Sequence, residues 1–212
     1  MYTVDPNPQG SQGWLDARSR LDLTASRFRT LTGKEPEHCP DQTLALKCMK
    51  MGTLAEGPTR RWYAETRGVE VQEVGLCIPV WEPRIGCSPD GLVGSDGIIE
   101  IKWTYGLKRK IELYEFVRRS APLTGGVGVS GYDHIDEYYD QIQGCMKILG
   151  RKWCDLIIVP GDKHPRDDTD TVIPRVYRIE YDDKYWTTVL GPAIESYLCR
   201  VDGREGSGQN KI

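Results

Sequence analysis

Residues that bind zinc or form disulfide scaffolds are scarce or poorly spaced in this sequence. Three histidines are present among 212 residues, and none of the seven cysteines forms a Cys-x-x-Cys pair, so neither a zinc site nor a disulfide framework is expected. No run approaches the ~20 apolar residues of a membrane span, and the opening residues lack the apolar segment of a signal peptide. These absences predict a cytoplasmic protein with reduced cysteines and no membrane partner.

An excess of positive charge is missing as well. Lys and Arg number 28 against 31 Asp and Glu, a net charge of −3, whereas proteins that bind nucleic acid through charge alone are strongly basic. No Gly-x-x-x-x-Gly-Lys pattern occurs, and the Gly-rich stretch 123–131 follows no predicted strand, which disfavours a nucleotide-binding small-molecule enzyme. An acidic balance remains compatible with an enzyme whose carboxylates bind a metal.

The sequence does contain regular amphipathic and apolar segments. An apolar fraction of 39% in 212 residues suffices for one domain, which we predict to span 1–212 with loose tails at about 1–10 and 201–212. Periodicity predicts helices around 14–18 and over 26–33, 41–51, 52–68, 135–150 and 183–199, and strands over 69–80, 85–87, 97–103, 154–159 and 175–181. Thr24 or Ser26 is expected to cap the second helix. This order predicts an α+β or α/β fold, in which helices flank a central mixed β-sheet.

The most specific pattern in the chain is the segment SPDGLVGSDGIIEIK, residues 88–102. Asp90 lies in a turn, whereas Glu100 and Lys102 are two residues apart on a predicted strand, so their side chains share one face. A hairpin would bring the Asp90 carboxylate beside that of Glu100. With the main-chain carbonyl of Ile101, the two carboxylates would form an all-oxygen site, which suits Mg²⁺ or Mn²⁺ rather than Zn²⁺.

Hydrolysis of a phosphodiester requires this set of groups. Bound metal activates water and stabilises the charge that develops on the phosphate, and Lys102 can orient the water or stabilise the same charge. The plain alternative is a surface hairpin with an ordinary Glu–Lys ion pair. Glu100 lies within an apolar strand, where an unpaired charge is costly, and this position favours a metal-dependent nuclease.

The same residues resemble the motif of the PD-(D/E)xK nucleases, here Pro89-Asp90 followed by Glu100-Ile101-Lys102. More narrowly, four blocks in order are similar to the lambda-phage-type 5′→3′ exonucleases, also called YqaJ-like viral recombinases. The resemblance implies a core like that of restriction endonucleases and Mg²⁺, or Mn²⁺, as the cofactor.

An earlier block resembles the family's W-x-x-x-R…(I/L)-T-A-S signature. It begins at Trp14 and Arg18 and ends with Leu-Thr-Ala-Ser26. The resemblance implies that Arg18 and Ser26 bind the 5′-terminal phosphate of DNA, and the chemistry agrees, because a guanidinium group holds phosphate oxygens at two points.

Two further blocks supply residues for the predicted active site. Gly52-x-x-x-Glu56 resembles the family's G-x-x-x-E helix, which implies that Glu56 faces the metal, either directly or through water. Gln141-x-Gln143 resembles the family's Q-x-Q helix, which implies that Gln141 positions water or a phosphate oxygen. Gln143 lies about 200° around the helix and is expected to face elsewhere, and Asp140 departs from the small residue common in relatives.

The resemblance also implies an activity and an assembly. Family members digest the 5′ strand of duplex DNA ends into mononucleotides and leave 3′ overhangs for a single-strand annealing protein. They form homotrimeric rings that enclose the DNA. We therefore expect a 5′→3′ double-strand DNA exonuclease with these partners.

Two alternatives remain open. A PD-(D/E)xK endonuclease or repair nuclease would share the metal site but would have no use for Arg18 and Ser26. A non-catalytic module that binds DNA ends would not need the intact set Asp90, Glu100 and Lys102.

Overall fold

The computed structural model describes residues 1–33, 42–105, 133–161 and 174–208, which form helices packed on β-sheet. The helices are α1 (Gln12–Ser19), α2 (Gln42–Arg67), α3 (Asp133–Leu149), α4 (Asp183–Tyr185) and α5 (Gly191–Gly208), with a 3₁₀ helix over Ala25–Thr32 and a π-helical segment over Trp186–Leu190. The strands are β1 (Tyr2–Val4), β2 (Leu23–Thr24), β3 (Val71–Gln72), β4 (Cys77–Pro79), β5 (Ile85–Gly86), β6 (Gly91–Val93), β7 (Gly97–Tyr105), β8 (Trp153–Gly161) and β9 (Arg175–Glu180). Among the described residues, no helix combines the length and hydrophobicity needed to cross a bilayer.

Five strands form the central sheet in the order β3–β6–β7–β8–β9. Strands β7 and β8 run parallel, and the other three neighbouring pairs are antiparallel. Strand β1 pairs antiparallel with β4, and β2 pairs parallel with β5, in two small separate sheets. The predicted fold class, a mixed sheet flanked by helices, is confirmed.

The central strands β7 and β8 are buried on both faces, which explains their nearly continuous apolar sequences. On one face, Ile98 belongs to a core cluster that includes the buried residues of α3. On the other face, Ile99 packs with Tyr63 of α2. Because side chains alternate along a strand, Glu100 and Lys102 lie on the face of Ile98, which α3 covers.

Helix α2 is one continuous helix, so the prediction of separate helices over 41–51 and 52–68 is wrong in that respect. Pro58 lies inside the helix, although a proline removes a backbone hydrogen bond and crowds the preceding turn. The helix continues because its second half is held by the sheet. Tyr63 is buried there, and its hydroxyl donates to the Asp155 carboxylate of β8 over 2.6 Å.

The predicted strand over 69–80 is divided between two sheets. Strand β3 pairs with β6, a strand the sequence did not reveal, whereas β4 pairs with β1. The chain leaves the central sheet near Gly75, where a Cβ atom would lie 2.6 Å from the Asp5 carbonyl oxygen. The main chain at the N-terminus therefore packs directly against this break.

The N-terminal residues are not the loose tail that we predicted for 1–10. Strand β1 is hydrogen-bonded to β4, and the Asp5 amide donates to the Leu76 carbonyl over 2.8 Å. The Gln9 side-chain amide donates to the carbonyl oxygens of Val74 and Pro89 over 2.8 and 2.9 Å. The start of the chain thus supports the segment that leads to Asp90.

The C-terminal helical region is longer than predicted. It was expected over 183–199, but α4, the π-helical segment and α5 continue to Gly208. The tail predicted over 201–212 therefore begins within α5, and 209–212 lie outside the described residues. The Gly-rich stretch 123–131 lies outside them as well.

Replacing Gly144 with alanine is expected to destabilise the protein. Gly144 lies where α3 crosses the 3₁₀ helix, and an added Cβ would clash with the buried ring of Phe28. Overpacking of this kind costs about 1–3 kcal/mol, which urea unfolding can measure. Gly203→Ala is the matched control, because its Cβ meets nothing within 4 Å and helix propensity favours alanine by about 1 kcal/mol. Equal stabilities of the two variants would contradict this packing.

Candidate active site

The Asp90 carboxylate is hydrogen-bonded to the edge of β7, beyond the residues of β7 that pair with β6. Strand β6 pairs with β7 only over Gly97–Ile99, so Ile101 has no strand partner on that side. Its amide donates instead to Oδ2 of Asp90 over 2.6 Å, and the Asp90 amide donates to the Ile99 carbonyl over 3.2 Å. The predicted hairpin therefore exists, and Asp90 lies directly before its first strand.

The main-chain carbonyl of Ile101 points to the same edge. In an extended strand, the N–H and C=O of one residue point to the same side, and the Ile101 N–H points to Asp90. The carbonyl oxygen predicted as a metal ligand therefore lies on the side of the Asp90 carboxylate.

Glu100, Lys102 and Gln141 form a closed hydrogen-bonded group on the face that α3 covers. The Lys102 ammonium lies 2.7 Å from Oε1 of Glu100 and donates to Oε1 of Gln141 over 3.3 Å. The Gln141 amide donates to Oε1 of Glu100 over 2.6 Å. The structure thus brings together three predicted catalytic residues from two elements that are far apart in sequence.

One carboxylate oxygen of this group is buried without a partner. Both contacts of Glu100 go to Oε1, whereas its Oε2 is buried and accepts no hydrogen bond from any described residue. Leaving a buried polar group without a partner costs about 1–3 kcal/mol of stability, and more when the group is charged. A bound cation or water molecule beside Oε2 would remove this cost. A hard divalent cation fits this oxygen, because it takes carboxylate and carbonyl oxygens as ligands.

The electrostatics of Asp90 agree with a cation site. Burial, and then the nearby Glu100 carboxylate, raise the pKa of Asp90 well above its usual value. A buried carboxylate beside a half-buried one is costly unless positive charge compensates them. Burial lowers the pKa of Lys102, but Glu100 and Asp90 outweigh it, and the net pKa is raised, so the side chain stays a cation.

Glu56 of α2 reaches the same region. Burial raises its pKa, Arg60 lowers it, and the charge of Glu100 raises it again. In the described part of the chain, no group of three or more His, Cys, Asp and Glu side chains is arranged to hold a metal ion. Asp90 and Glu100 thus supply two carboxylates, and Glu56 stands apart from them as a neighbour.

The predicted phosphate-binding residues form a second polar cluster. One guanidinium nitrogen of Arg18 donates to Oγ1 of Thr24 over 3.3 Å and to Oγ of Ser26 over 3.2 Å. The two hydroxyl groups lie 3.2 Å apart. Contrary to prediction, Thr24 does not cap the 3₁₀ helix with its side chain; both hydroxyls contact Arg18 instead, which makes this cluster suitable for an anion.

Trp14 links this cluster to the segment that carries Asp90. Its ring lies 4.5 Å from the Arg18 guanidinium carbon, and its indole N–H donates to Oγ of Ser88 over 3.1 Å. In addition, β2, which ends at Thr24, pairs with β5, which precedes Ser88. The two clusters are therefore linked through Trp14 and through the pairing of β2 with β5.

The second glutamine of the Q-x-Q helix faces elsewhere, as predicted. The Gln143 amide donates to the Glu180 carbonyl over 2.9 Å, and its oxygen accepts from the Asp182 amide over 2.8 Å. Asp140 is also buried away from the site, where its carboxylate accepts from Thr32 over 2.5 Å and from Tyr185. Both residues fasten α3 to its neighbours.

Four residues of the site were not predicted from the sequence. Thr24 and Ser88 lie inside the recognised blocks but were assigned no contact. Tyr138 lies one turn before Gln141, and its ring is 4.9 Å from the Lys102 ammonium. Arg60 lies one turn after Glu56 and donates to the Asp90 carbonyl over 2.7 Å. Helical spacing from a predicted site residue was the available signal for the last two.

Comparisons with known proteins identify the family and similar folds. The family model of the YqaJ-like viral recombinase domain matches residues 13–152. An alkaline exonuclease from Laribacter hongkongensis, LHK-Exo, is 26% identical over 92% of this chain and 94% of its own, with a TM-score of 0.63. Its structure in complex with dAMP is 25% identical with the same coverage and a TM-score of 0.65.

A phage-related exonuclease from Haemophilus somnus 129PT shares the fold. It is 14% identical over 87% of this chain and 97% of its own, with a TM-score of 0.52. No curated protein sequence matches the chain.

Proposed function

The chain belongs to the YqaJ-like viral recombinase family, and from this premise we propose that it is a metal-dependent 5′→3′ exonuclease of double-stranded DNA. The observation that carries the proposal is the buried, unpartnered Oε2 of Glu100 within the group of Asp90, Lys102 and Gln141. The likeness to alkaline exonucleases supports DNA as the substrate.

Asp90, Glu100 and the Ile101 carbonyl would hold Mg²⁺ or Mn²⁺, with Glu56 acting through a bridging water. When bound, the cation supplies activated water and stabilises charge on the scissile phosphate. Lys102 places a positive charge beside the reacting phosphate, and Gln141 orients water through its amide.

The cluster of Arg18, Thr24 and Ser26 would bind the 5′-terminal phosphate. A guanidinium group and two hydroxyls offer several donors to its oxygens. An end held in this way would expose the next phosphodiester to Asp90 and Glu100, so that each cut releases one mononucleotide. The dAMP bound by LHK-Exo is a nucleoside monophosphate, the class of product that such cleavage makes.

The resemblance to the family extends the proposal to the assembly. A homotrimeric ring would enclose the duplex, and the 3′ overhang that it leaves would be the substrate of a single-strand annealing protein. The alternative of an endonuclease or repair nuclease keeps the metal site but leaves the Arg18 cluster unexplained. The alternative of a non-catalytic end-binding module leaves Lys102 and Gln141 unexplained.

The proposal is tested with a linear duplex that carries a phosphate at one 5′ end and a label in each strand. In Mg²⁺ we expect mononucleotides from the phosphorylated 5′ strand and an intact 3′ strand, and in EDTA we expect no product until Mg²⁺ is restored. A covalently closed circle of the same sequence is the control. Equal cleavage of the circle would favour the endonuclease, and absence of cleavage with Mg²⁺ and with Mn²⁺ would favour the binding module.

A further inference from the structure

One face of α2 carries three polar residues that lie along the central sheet and the edge of the site. Glu56, Arg60 and Tyr63 are spaced by four and three residues, so they lie in a row on the same side of the helix. Tyr63 donates to Asp155 of β8, and Arg60 donates to the Asp90 carbonyl. Glu56 is close enough to Glu100 and Lys102 for their charges to affect its pKa. The helix is therefore fastened on one side of Glu56 by two successive contacts.

Arg60 makes the contact nearest to the catalytic carboxylate. Its Nε donates to the Asp90 carbonyl oxygen over 2.7 Å, and its Nη1 forms an ion pair with Glu73. The side chain is 15% exposed, whereas Glu73 is 74% exposed, so the guanidinium group is enclosed and the ion pair orients it from the solvent side. A planar guanidinium makes the two contacts from two different nitrogen atoms in a fixed plane, whereas a lysine has a single donor nitrogen.

The Asp90 carbonyl and the Asp90 carboxylate are fixed by different partners. Arg60 holds the carbonyl, and the Ile101 amide holds Oδ2. Since both groups belong to one residue, the two bonds together restrict the backbone and side-chain rotations of Asp90.

We propose that Arg60 is a positioning residue, which holds Asp90 in the arrangement that binds the divalent cation. This inference rests on the proposed function, because it concerns the affinity of the same site. Hydrogen-bonding partners behind metal ligands typically change metal affinity by about 10- to 100-fold when they are removed. We expect a loss of this size when Arg60 is replaced.

The direction in which cation affinity changes after loss of Arg60 distinguishes positioning from simple electrostatic repulsion. A guanidinium charge close to a cation site repels the cation, so removing the charge alone would tighten cation binding. Removing a residue that fixes the ligands would weaken binding instead. A weaker site after Arg60→Met therefore identifies the positioning role, because the lost repulsion acts in the opposite direction.

The experiment titrates the full-length protein with Mn²⁺ alone and measures the free ion by electron paramagnetic resonance. We expect Arg60→Met to raise the Kd for Mn²⁺ by about 10-fold or more, and Arg60→Lys, which keeps the charge, to raise it as well. Arg61→Met is the matched control, because Arg61 is the exposed neighbour on the same helix, and its Kd should equal that of the wild type. Thermal unfolding of each variant without metal identifies the folded variants.

An unchanged or lower Kd in folded Arg60→Met overturns the inference and leaves the proposed function intact. Should Arg60→Met not fold, an unchanged Kd in folded Arg60→Lys overturns it equally. Wild-type protein that binds no Mn²⁺ would overturn the metal-dependent function, and this inference with it.

Discussion

Replacing Lys102 with alanine is expected to lower the rate of DNA cleavage by about 10²- to 10⁴-fold, the usual effect of losing a proton-transfer or charge-stabilising group. The ammonium lies 2.7 Å from Oε1 of Glu100 and 3.3 Å from Oε1 of Gln141. Its pKa is raised by Glu100 and Asp90 despite burial, so the ammonium group carries its charge at neutral pH. Single-turnover digestion of a labelled duplex at saturating Mg²⁺ measures the loss.

The control for this variant is Lys152→Ala. Lys152 also forms an ion pair with a carboxylate, Asp96, over 3.0 Å, but it is 73% exposed. Exposed pairs of this kind contribute about 0–1 kcal/mol, so cleavage should be unchanged. Lys102→Ala should still bind duplex ends in a gel-shift assay, since the Arg18 cluster is intact. Near-normal cleavage by folded Lys102→Ala would show that this carboxylate–lysine group is not the catalytic site.

In the group of Glu100, Lys102 and Gln141, local rules place the first two residues together, whereas Gln141 was implied by the resemblance to the family's Q-x-Q helix. Two-residue spacing places Glu100 and Lys102 on one face of a strand, and helical spacing separates Gln141 from Gln143. Both expectations agree with the contacts observed. A charge inside an apolar strand was the further signal, because burial without compensation is costly.

Long-range features of the fold were not predictable in the same way. Nothing in the local pattern of β1 indicates that it pairs with β4, more than 70 residues away. Two helices were predicted over 41–51 and 52–68, but α2 is continuous through Pro58, since the contact of Tyr63 with β8 holds the second half. Local propensity is a weak guide where tertiary packing decides.

The residues that contact the predicted site residues could not be predicted from the sequence either. Thr24 looked like a helix cap, but its hydroxyl contacts Arg18. Arg60 looked like one more charged residue on a helix, but it donates to the Asp90 carbonyl. In each case the partner lies on a different element, so that only the folded arrangement of the elements reveals it.

Replacing Arg18 with alanine is expected to remove the preference for a 5′-phosphate over a 5′-hydroxyl end. The Arg18 guanidinium group contacts the hydroxyls of both Thr24 and Ser26. The ring of Trp14 packs against the same guanidinium group and helps to fix its position. A hydrogen bond to a charged group contributes about 1.5–3 kcal/mol, which corresponds to a ratio of about 10- to 100-fold. The measurement is kcat/KM on two duplexes that differ only in the 5′ group.

The ratio of the two kcat/KM values isolates the phosphate cluster from catalysis. A change that weakens the catalytic group lowers both values by the same factor, so Lys102→Ala leaves the ratio unaltered, whereas Arg18→Ala lowers the value for the phosphorylated end alone. Arg20→Ala is the matched control, because Arg20 is the exposed arginine directly after the same helix. Arg18→Lys should retain part of the preference, since it keeps the charge but loses the planar fork. A ratio that survives in Arg18→Ala would mean that the phosphate is bound elsewhere, and the release of single nucleotides would then need another explanation.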